Sequence, residues 1–250
     1  MTTYLLAALV AFAFTTVLTI AGVGAAFIIV PTFYWLGIPL HEAMAVALLL
    51  NALSMTFASA NNIRNRLVDF ATAVPIIIAA TLVSPLGAYT SQFVARGVLL
   101  WLFVGFLVFA GSMMLFYHPK SGETRIASAL GRAILGVAVG LLAGFLGGLL
   151  GVGGGNFIVP VLVWLGFDPK RASGTTAFIV VFSSLSGFFG HTALGSLNPT
   201  LLAFSAVASV SAALLGSWLM QARLKSAQVK WVIGLVLYLV AAKMLFDLIF

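Results

Sequence analysis

Apolar residues run along this chain in ten stretches separated by short polar or Gly/Pro breaks. They predict helices near 4–20, 25–37, 43–60, 69–91, 98–117, 130–150, 156–167, 172–190, 198–220 and 229–250. Two of these, 25–37 and 156–167, are too short to cross a bilayer. About 13 residues at the helical rise reach roughly 20 Å, against a hydrocarbon core of about 30 Å.

Composition says what surrounds these helices. Of 250 residues, 7% are charged and 62% hydrophobic, and the mean hydropathy is +1.20. A water-facing surface cannot be built from that inventory, so the expected solvent is lipid and the class a polytopic membrane protein. The net charge of +7 comes from basic residues scattered between apolar runs. No basic patch results, and nucleic acid is excluded as a partner. Zero cysteines rule out disulfides, thiolate metal sites and cysteine nucleophiles. The first Lys or Arg is Arg64, so the N-terminus lacks the basic region of a signal peptide.

The two halves of the chain are related. A shift of 129 lays GVGAAFIIVPTFYWLG (22–37) over GVGGGNFIVPVLVWLG (151–166), with Gly22, Val23, Gly24, Ile29, Val30, Pro31, Trp35, Leu36 and Gly37 meeting identical residues. The same shift pairs Ala43 with Ala172, Ser54 with Ser183, Gly87 with Gly216 and Gln92 with Gln221. Two similar halves are the expected form of a transport fold.

The positions of Lys and Arg decide whether the halves are parallel or inverted. Ten of the twelve fall in four places: Arg64 and Arg66; Lys120, Arg125 and Arg132; Lys170 and Arg171; Arg223, Lys225 and Lys230. The positive-inside rule makes these loops cytoplasmic. Equivalent loops then lie on opposite sides, 38–42 outside against 167–171 inside, and 61–68 inside against 191–198 outside. This requires each half to begin with a hairpin that enters and leaves on one face, followed by three full spans. The fold class expected is an all-α polytopic membrane protein of two inverted-topology repeats. The first repeat is 1–117, with hairpin 4–37 and helices 43–60, 69–91 and 98–117. A cytoplasmic connection, 118–129, leads to the second repeat, 130–250, with hairpin 130–167 and helices 172–190, 198–220 and 229–250. Both termini come out external.

Each hairpin bends at glycines, and the second is richer: Gly147, Gly148, Gly151, Gly153, Gly154, Gly155, then Asn156. Non-helical backbone at membrane depth is tolerated only where protein buries it or it lines a cavity. A short helix beginning near Asn156 would point unpaired N–H groups and its positive dipole end into the bundle, an anion-binding device without a charged side chain. Gly136, Gly140, Gly144 and Gly148, spaced by four, read as a packing ridge, and Pro31 and Pro160 as residues that set hairpin shape. No Lys-Ser/Thr follows the glycines, so a nucleotide P-loop is a poor match.

A second polar patch opens the next helix, with Ser173, Gly174, Thr175 and Thr176, then Ser183, Ser184 and Ser186. The two threonines, in its first turn or so, could donate to an anion, cap the helix or bond a neighbouring one, and the sequence leaves these open. The first half is poorer: Ala25, Ala26 and Phe27 stand for Gly154, Gly155 and Asn156, and Val46 and Ala47 for Thr175 and Thr176. It keeps Asn51, Ser54 and Thr56, so a pseudo-symmetric site would be lopsided. Glu42, Asp69, Glu123, Asp168 and Asp247 lie at loops or helix ends, which leaves no carboxylate for a buried proton relay. His41, His118 and His191 are spread over three turns and suggest neither a metal site nor a catalytic pair. An interfacial role suits His191 better than a proton-sensitive gate. Lys243 snorkels or pairs with Asp247 at i+4.

The segment GVGGGNFIVPVLVWLGFDPKRASGTTAF (151–178), with its fainter echo at 22–48, resembles the sulfite exporter TauE/SafE family, also called the TSUP permeases. The resemblance extends over nearly the whole chain. It implies a multi-pass inner-membrane permease for small anions such as sulfite, sulfonates or carboxylates, often for export. It carries Gly153, Gly154, Gly155, Asn156, Gly174, Thr175 and Thr176 as site residues, with Gly22 and Gly24 in the first half. Ser183, Asn51 and Ser54 complete the candidate substrate site. The family commonly has a third glycine and a Thr-Ser pair in its first half, and here Ala25, Ala26, Val46 and Ala47 depart from that pattern. The expectation is a secondary transporter without catalytic residues, metal or cofactor. Its partners are a small anionic substrate and the lipid bilayer, with a homo-oligomer left open. The alternatives are a passive anion channel or an uptake permease for a small carboxylate or sulfur oxyanion. An intramembrane enzyme is disfavoured, because no nucleophile–base pair or metal cluster is visible.

Overall fold

The computed structural model describes residues 2–22, 24–35, 37–116, 129–192 and 199–249. The described residues form helices α1 (Thr2–Ala21), α2 (Ala26–Trp35), α3 (Leu40–Arg64), α4 (Phe70–Thr90), α5 (Arg96–Phe116), α6 (Ala129–Leu149), α7 (Gly155–Trp164), α8 (Pro169–Thr192), α9 (Pro199–Ala222) and α10 (Ser226–Ile249), with no strand among them. Six of these are long and apolar enough to cross a membrane, whereas α2 and α7, at 10 residues each, rise only about 15 Å. The connection expected over 118–129 lies outside the described residues apart from Ala129, as does most of the turn at 191–198. Large apolar side chains such as Leu82, Val207 and Phe116 stand exposed, as lipid-facing positions should. The chain is an all-helical, multi-pass membrane protein.

Left-handed residues end several of these helices. Gly151 (φ +68°) donates to Gly148 O and Val152 donates to Gly147 O, which closes the end of α6 in a Schellman motif. Gly166 (φ +95°) and Phe167 close α7 in the same way on Val163 O and Leu162 O. Several helices differ from their predicted extents by up to four residues at an end, α10 for example starting at Ser226 rather than 229, and for two of them the local reason is visible. α8 begins at Pro169 rather than 172, because Asp168 Oδ1 accepts the Lys170 and Arg171 amides at 2.9 and 3.4 Å and proline suits the first helical position. α3 runs on to Arg64 rather than 60, because its polar end is anchored on α9: Asn61 Nδ2 donates to Ser217 Oγ at 3.2 Å, and Asn62 Oδ1 accepts from Gln221 Nε2 at 2.8 Å.

The packing repeats under exchange of the halves. α4 lies on α6, and its counterpart α9 lies on α1. A Cβ on Gly87 would overlap Phe145 O, and one on Gly216 would overlap Thr16 O, the contact related by the 129-residue shift. The pair at the centre is α3 and α8. Leu48 meets Gly187, Asn51 meets Ser184 and Leu67 meets Gly174, so these equivalent helices run antiparallel. α4 and α6 run parallel, with Gly136 against Pro75, Gly140 against Ile76 and Ala79, Gly144 against Ala80 and Gly148 against Ser84.

The loops carrying positive charge gather at one end of the bundle. Lys170 Nζ donates to Gln221 O at 3.4 Å, Asn65 bonds Gln221, and Asp69, Arg132 and Phe167 line one cavity. Arg64, Arg66, Arg132, Lys170, Arg171 and Arg223 thus share a face.

The close α4–α6 seam yields a stability prediction. A Cβ on Gly144 would stand 2.5 Å from Ala80 Cα and O, whereas one on Gly105 would meet nothing within 4 Å. Gly144→Ala should cost about 1–3 kcal/mol through overpacking, and Gly105→Ala should be neutral or stabilise by up to about 1 kcal/mol. Unfolding in detergent measures both, and equal stability for the two variants would mean the seam is slack.

Candidate functional site

The site begins with a count of backbone hydrogen bonds at the α6–α7 break. The α6 carbonyls of Leu146, Gly147 and Gly148 take the amides of Leu150, Gly151, Val152 and Gly153, and Phe157 N donates to Gly154 O. The amides of Gly154, Gly155 and Asn156 are left without an acceptor among the described residues. These are the first donors of α7, whose N-cap, Gly154, is left-handed (φ +78°) and offers no side-chain cap. The segment 151–160 is buried throughout. Asn156 is 0% exposed, and neither its Oδ1 nor its Nδ2 has a partner. A buried primary amide with no bond costs stability, so its persistence points to a task other than packing.

Both breaks are wedged against the α3–α8 pair. Gly22 (φ +73°) lies so close to Ser173 that a Cβ there would strike that residue's backbone, and Ser173 Oγ donates to Ala21 O at 3.0 Å. Its counterpart Gly151 sits against Met44. Gly24 (φ +74°) admits Asn51 Oδ1 into the space of a missing Cβ, and Gly153 (φ +76°) does the same for Ser184 Oγ. A Cβ on Gly153 would also stand 2.9 Å from Asn51 Nδ2. The Asn51 side chain therefore lies between the two breaks. Its Nδ2 donates to Ser184 Oγ at 2.9 Å, and its Oδ1 is buried without a partner. Ser183 Oγ donates to Gly153 O at 2.8 Å, which ties the second break to the middle of α8.

The structure thus brings Gly24, Asn51, Gly153 and Ser183 together, with Gly154, Gly155 and Asn156 following directly along the break. Ser54 is buried and donates to Asn51 O within its own helix at 3.1 Å. Gly174 and Thr175 lie elsewhere. Gly174 abuts Leu67, while Thr175 Oγ1 accepts the Asp69 amide at 3.0 Å and donates to Leu67 O at 3.4 Å. Because α8 starts at Pro169, the two threonines sit in its second turn and its first amides are capped by Asp168. Thr176 is 0% exposed and its hydroxyl has no partner. Ser184, the hydroxyl that joins Asn51 to Gly153, was visible in the sequence only as one serine of a polar patch.

The site holds no fixed charge; beside it His191, expected at the interface, is instead completely buried, with its Nε2 2.9 Å from Gly148 O at the end of α6. None of the described buried residues carries a carboxylate, ammonium or guanidinium, and no group of three His, Asp or Glu that could hold a metal occurs among the described residues. It offers peptide N–H groups, a helix N-terminus and side-chain amides, which stabilise negative charge through dipoles.

A family model described as "Sulfite exporter TauE/SafE" matches residues 6–244. The chain is 27% identical over 264 aligned positions to the probable membrane transporter protein YunE of Bacillus subtilis, spanning 94% of each. It is 26% identical over 198 positions to a probable membrane transporter protein of Haemophilus influenzae, 74% of this chain and 72% of that one. Sulfite exporter TauE/SafE family protein 1 of Arabidopsis thaliana is 36% identical over 94 residues, 38% of this chain and 21% of that protein. No solved structure matches the chain. With the match spanning nearly all ten helices and the relatives named as transporters, the chain belongs to the sulfite exporter TauE/SafE family, a family of membrane transporters and not of enzymes.

Proposed function

We propose that this protein is a secondary permease that moves a small anion, sulfite or an organosulfonate, out across the cytoplasmic membrane. The observation that carries the reading is the α6–α7 break, where a completely buried asparagine amide and three unpaired peptide N–H groups meet at a helix start. An anion held by neutral donors sits in a shallow well and can leave again, which a buried arginine would hinder. The basic end of the bundle is the cytoplasmic end by the positive-inside rule, and the interior-negative potential then favours anion exit by about 2.3 kcal/mol per charge per 100 mV. The antiparallel run of α3 and α8 supports two inverted repeats, 1–117 and 130–250, exchanging access around a site shared by both breaks.

Residue roles follow within this reading. Gly154, Gly155 and Asn156 present the donors, with Thr176 adding a hydroxyl, while Gly153, its amide already on Gly147 O, sets the path of the break. Gly22, Gly24, Asn51, Ser54 and Ser183 hold the two breaks on the α3–α8 pair. Gly174 and Thr175 fix the loop at the cytoplasmic end.

Asn156→Leu keeps the volume and removes the unpaired amide. It should lower sulfite or sulfonate flux in proteoliposomes about ten- to a hundredfold, the equivalent of about 1.4–2.8 kcal/mol, with a melting temperature equal to or above the parent's. Undiminished flux would refute the site. Thr176→Val should behave likewise. Thr175→Val should do the opposite, because it strands the Asp69 amide: stability falls by about 1–3 kcal/mol while flux per folded molecule is retained. Single-channel currents in the same membranes would replace the carrier by a channel.

A further inference from the structure

A cavity of about 40 Å³ opens at the basic end between α4, α6 and α7, room for about three water molecules or a small acid group. It belongs to neither break. Its polar lining is Asp69, Thr72 and Arg132, and its apolar lining includes Ile76, Leu135, Val139, Leu162 and Phe167. Thr72 is 5% exposed, and its hydroxyl has no hydrogen-bond partner. Asp69 Oδ1 accepts the Thr72 amide at 3.2 Å as the N-cap of α4. The parallel packing of α4 on α6 brings Thr72 and Arg132, far apart in sequence, to one wall.

We infer that this cavity is a second binding site, for a small organic monoanion that sets its acid group on Arg132 and Thr72 and its carbon body on the apolar wall. One guanidinium and one hydroxyl match the donors a sulfonate or carboxylate needs. The cost of stripping water from an ion rises with the square of its charge, while attraction to a single guanidinium rises only linearly. Asp69 cancels part of that attraction, so the cavity selects monoanions over sulfate-like dianions. The apolar wall selects organic over inorganic ones, since each methylene buried there gains about fourfold in affinity.

Along α6 the cavity reaches Val139, one turn before Ala143, whose carbonyl lies against Gly154 at the break. On the other half the place of Leu162 is taken by Phe33, which is completely buried. The cavity therefore forms a loading station on the cytoplasmic side of the break. That its ligand is cargo rests on the transport reading above; that it binds an organic monoanion rests on the cavity alone.

The test is calorimetric binding to the purified protein in phosphatidylcholine nanodiscs, with methanesulfonate, ethanesulfonate, propanesulfonate and sulfate as probes. Affinity should rise along the sulfonate series until the cavity is full, and sulfate should bind at least tenfold more weakly than ethanesulfonate. Arg132→Gln should cost at least tenfold for ethanesulfonate and Thr72→Val about threefold or more. Asp69→Asn, which still caps α4, should improve sulfate binding about tenfold. All three effects should persist in an Asn156→Leu background, which separates this cavity from the break. Unchanged ethanesulfonate affinity in Arg132→Gln, or equal affinity for sulfate and ethanesulfonate in the parent, overturns the proposal. So does loss of ethanesulfonate binding on adding phosphatidylglycerol, which would make the occupant a lipid headgroup. Flux that survives Asn156→Leu would remove the break as the transport site and leave the cavity's binding intact.

Discussion

A peptide group that loses its partner inside a bilayer has no water to turn to, and the rest of this structure answers to that constraint. Breaking α6 at Gly151 would orphan both the last carbonyls of one helix and the first amides of the next. The chain solves half of the problem locally. Gly151, Val152 and Gly153 fold back and pair the carbonyls of Gly147 and Gly148, a path that needs left-handed glycine at 151 and 153. The donors that follow are not paired. They survive because the break is buried and clamped: Ser183 holds the Gly153 carbonyl, and Asn51 and Ser184 fill the space a side chain would need. The asparagine between the two breaks is a mechanical part as much as a polar one, since any side chain on Gly24 or Gly153 would dislodge it.

Much of this was legible in the sequence, for reasons that name its limits. Glycines that stop helices announce themselves, so the short elements predicted at 25–37 and 156–167 match α2 and α7 closely. The start of α8 was misplaced by three residues because the apolar pattern begins only after Asp168 and Pro169 have capped the helix. The end of α3 was cut short because Asn61 and Asn62 look like a loop until α9 supplies Ser217 and Gln221. At the site, Asn156 and the glycines around it could be read from spacing. Thr175 could not, because its partners, Leu67 and Asp69, are local neighbours of another helix and leave no signal beside it. The Arg132 cavity was equally invisible, since it needs the parallel pairing of α4 with α6.

The repeat is kept where it shapes the backbone and relaxed elsewhere. Gly22 and Gly151 make the same turn against equivalent residues of opposite halves, Ser173 and Met44. The seams that flank them diverge in chemistry. Gly144 and Gly148 line α6, while their counterparts Thr15 and Thr19 line α1 with buried hydroxyls that have no partner. On α9, Ser205 and Ser209 likewise replace Ile76 and Ala80 of α4 and are buried without partners. Glycine seams gain from close backbone approach, whereas unpaired hydroxyls lower the cost of separating two helices. The α1–α9 seam is therefore the weaker of the two, and the first hairpin is the one freer to shift against its neighbours.

That asymmetry bears on how a sealed break can ever meet its ligand. Residues 151–160 are buried throughout, so on the proposed reading an anion would reach the unpaired amides only when one hairpin moves. The second hairpin is held by the glycine seam of α6 on α4 and by Ser183, and its break carries the donors; a moving part should not also be the part whose geometry must stay fixed. The first hairpin has lost the asparagine amide, with Phe27 in the place of Asn156, and it packs through the hydroxyl seam. On the proposed transport reading a division of labour follows, in which the second half would keep the site and the first half would open and close over it. Asn51, touching both breaks at once, is the residue through which displacement of one would be felt by the other.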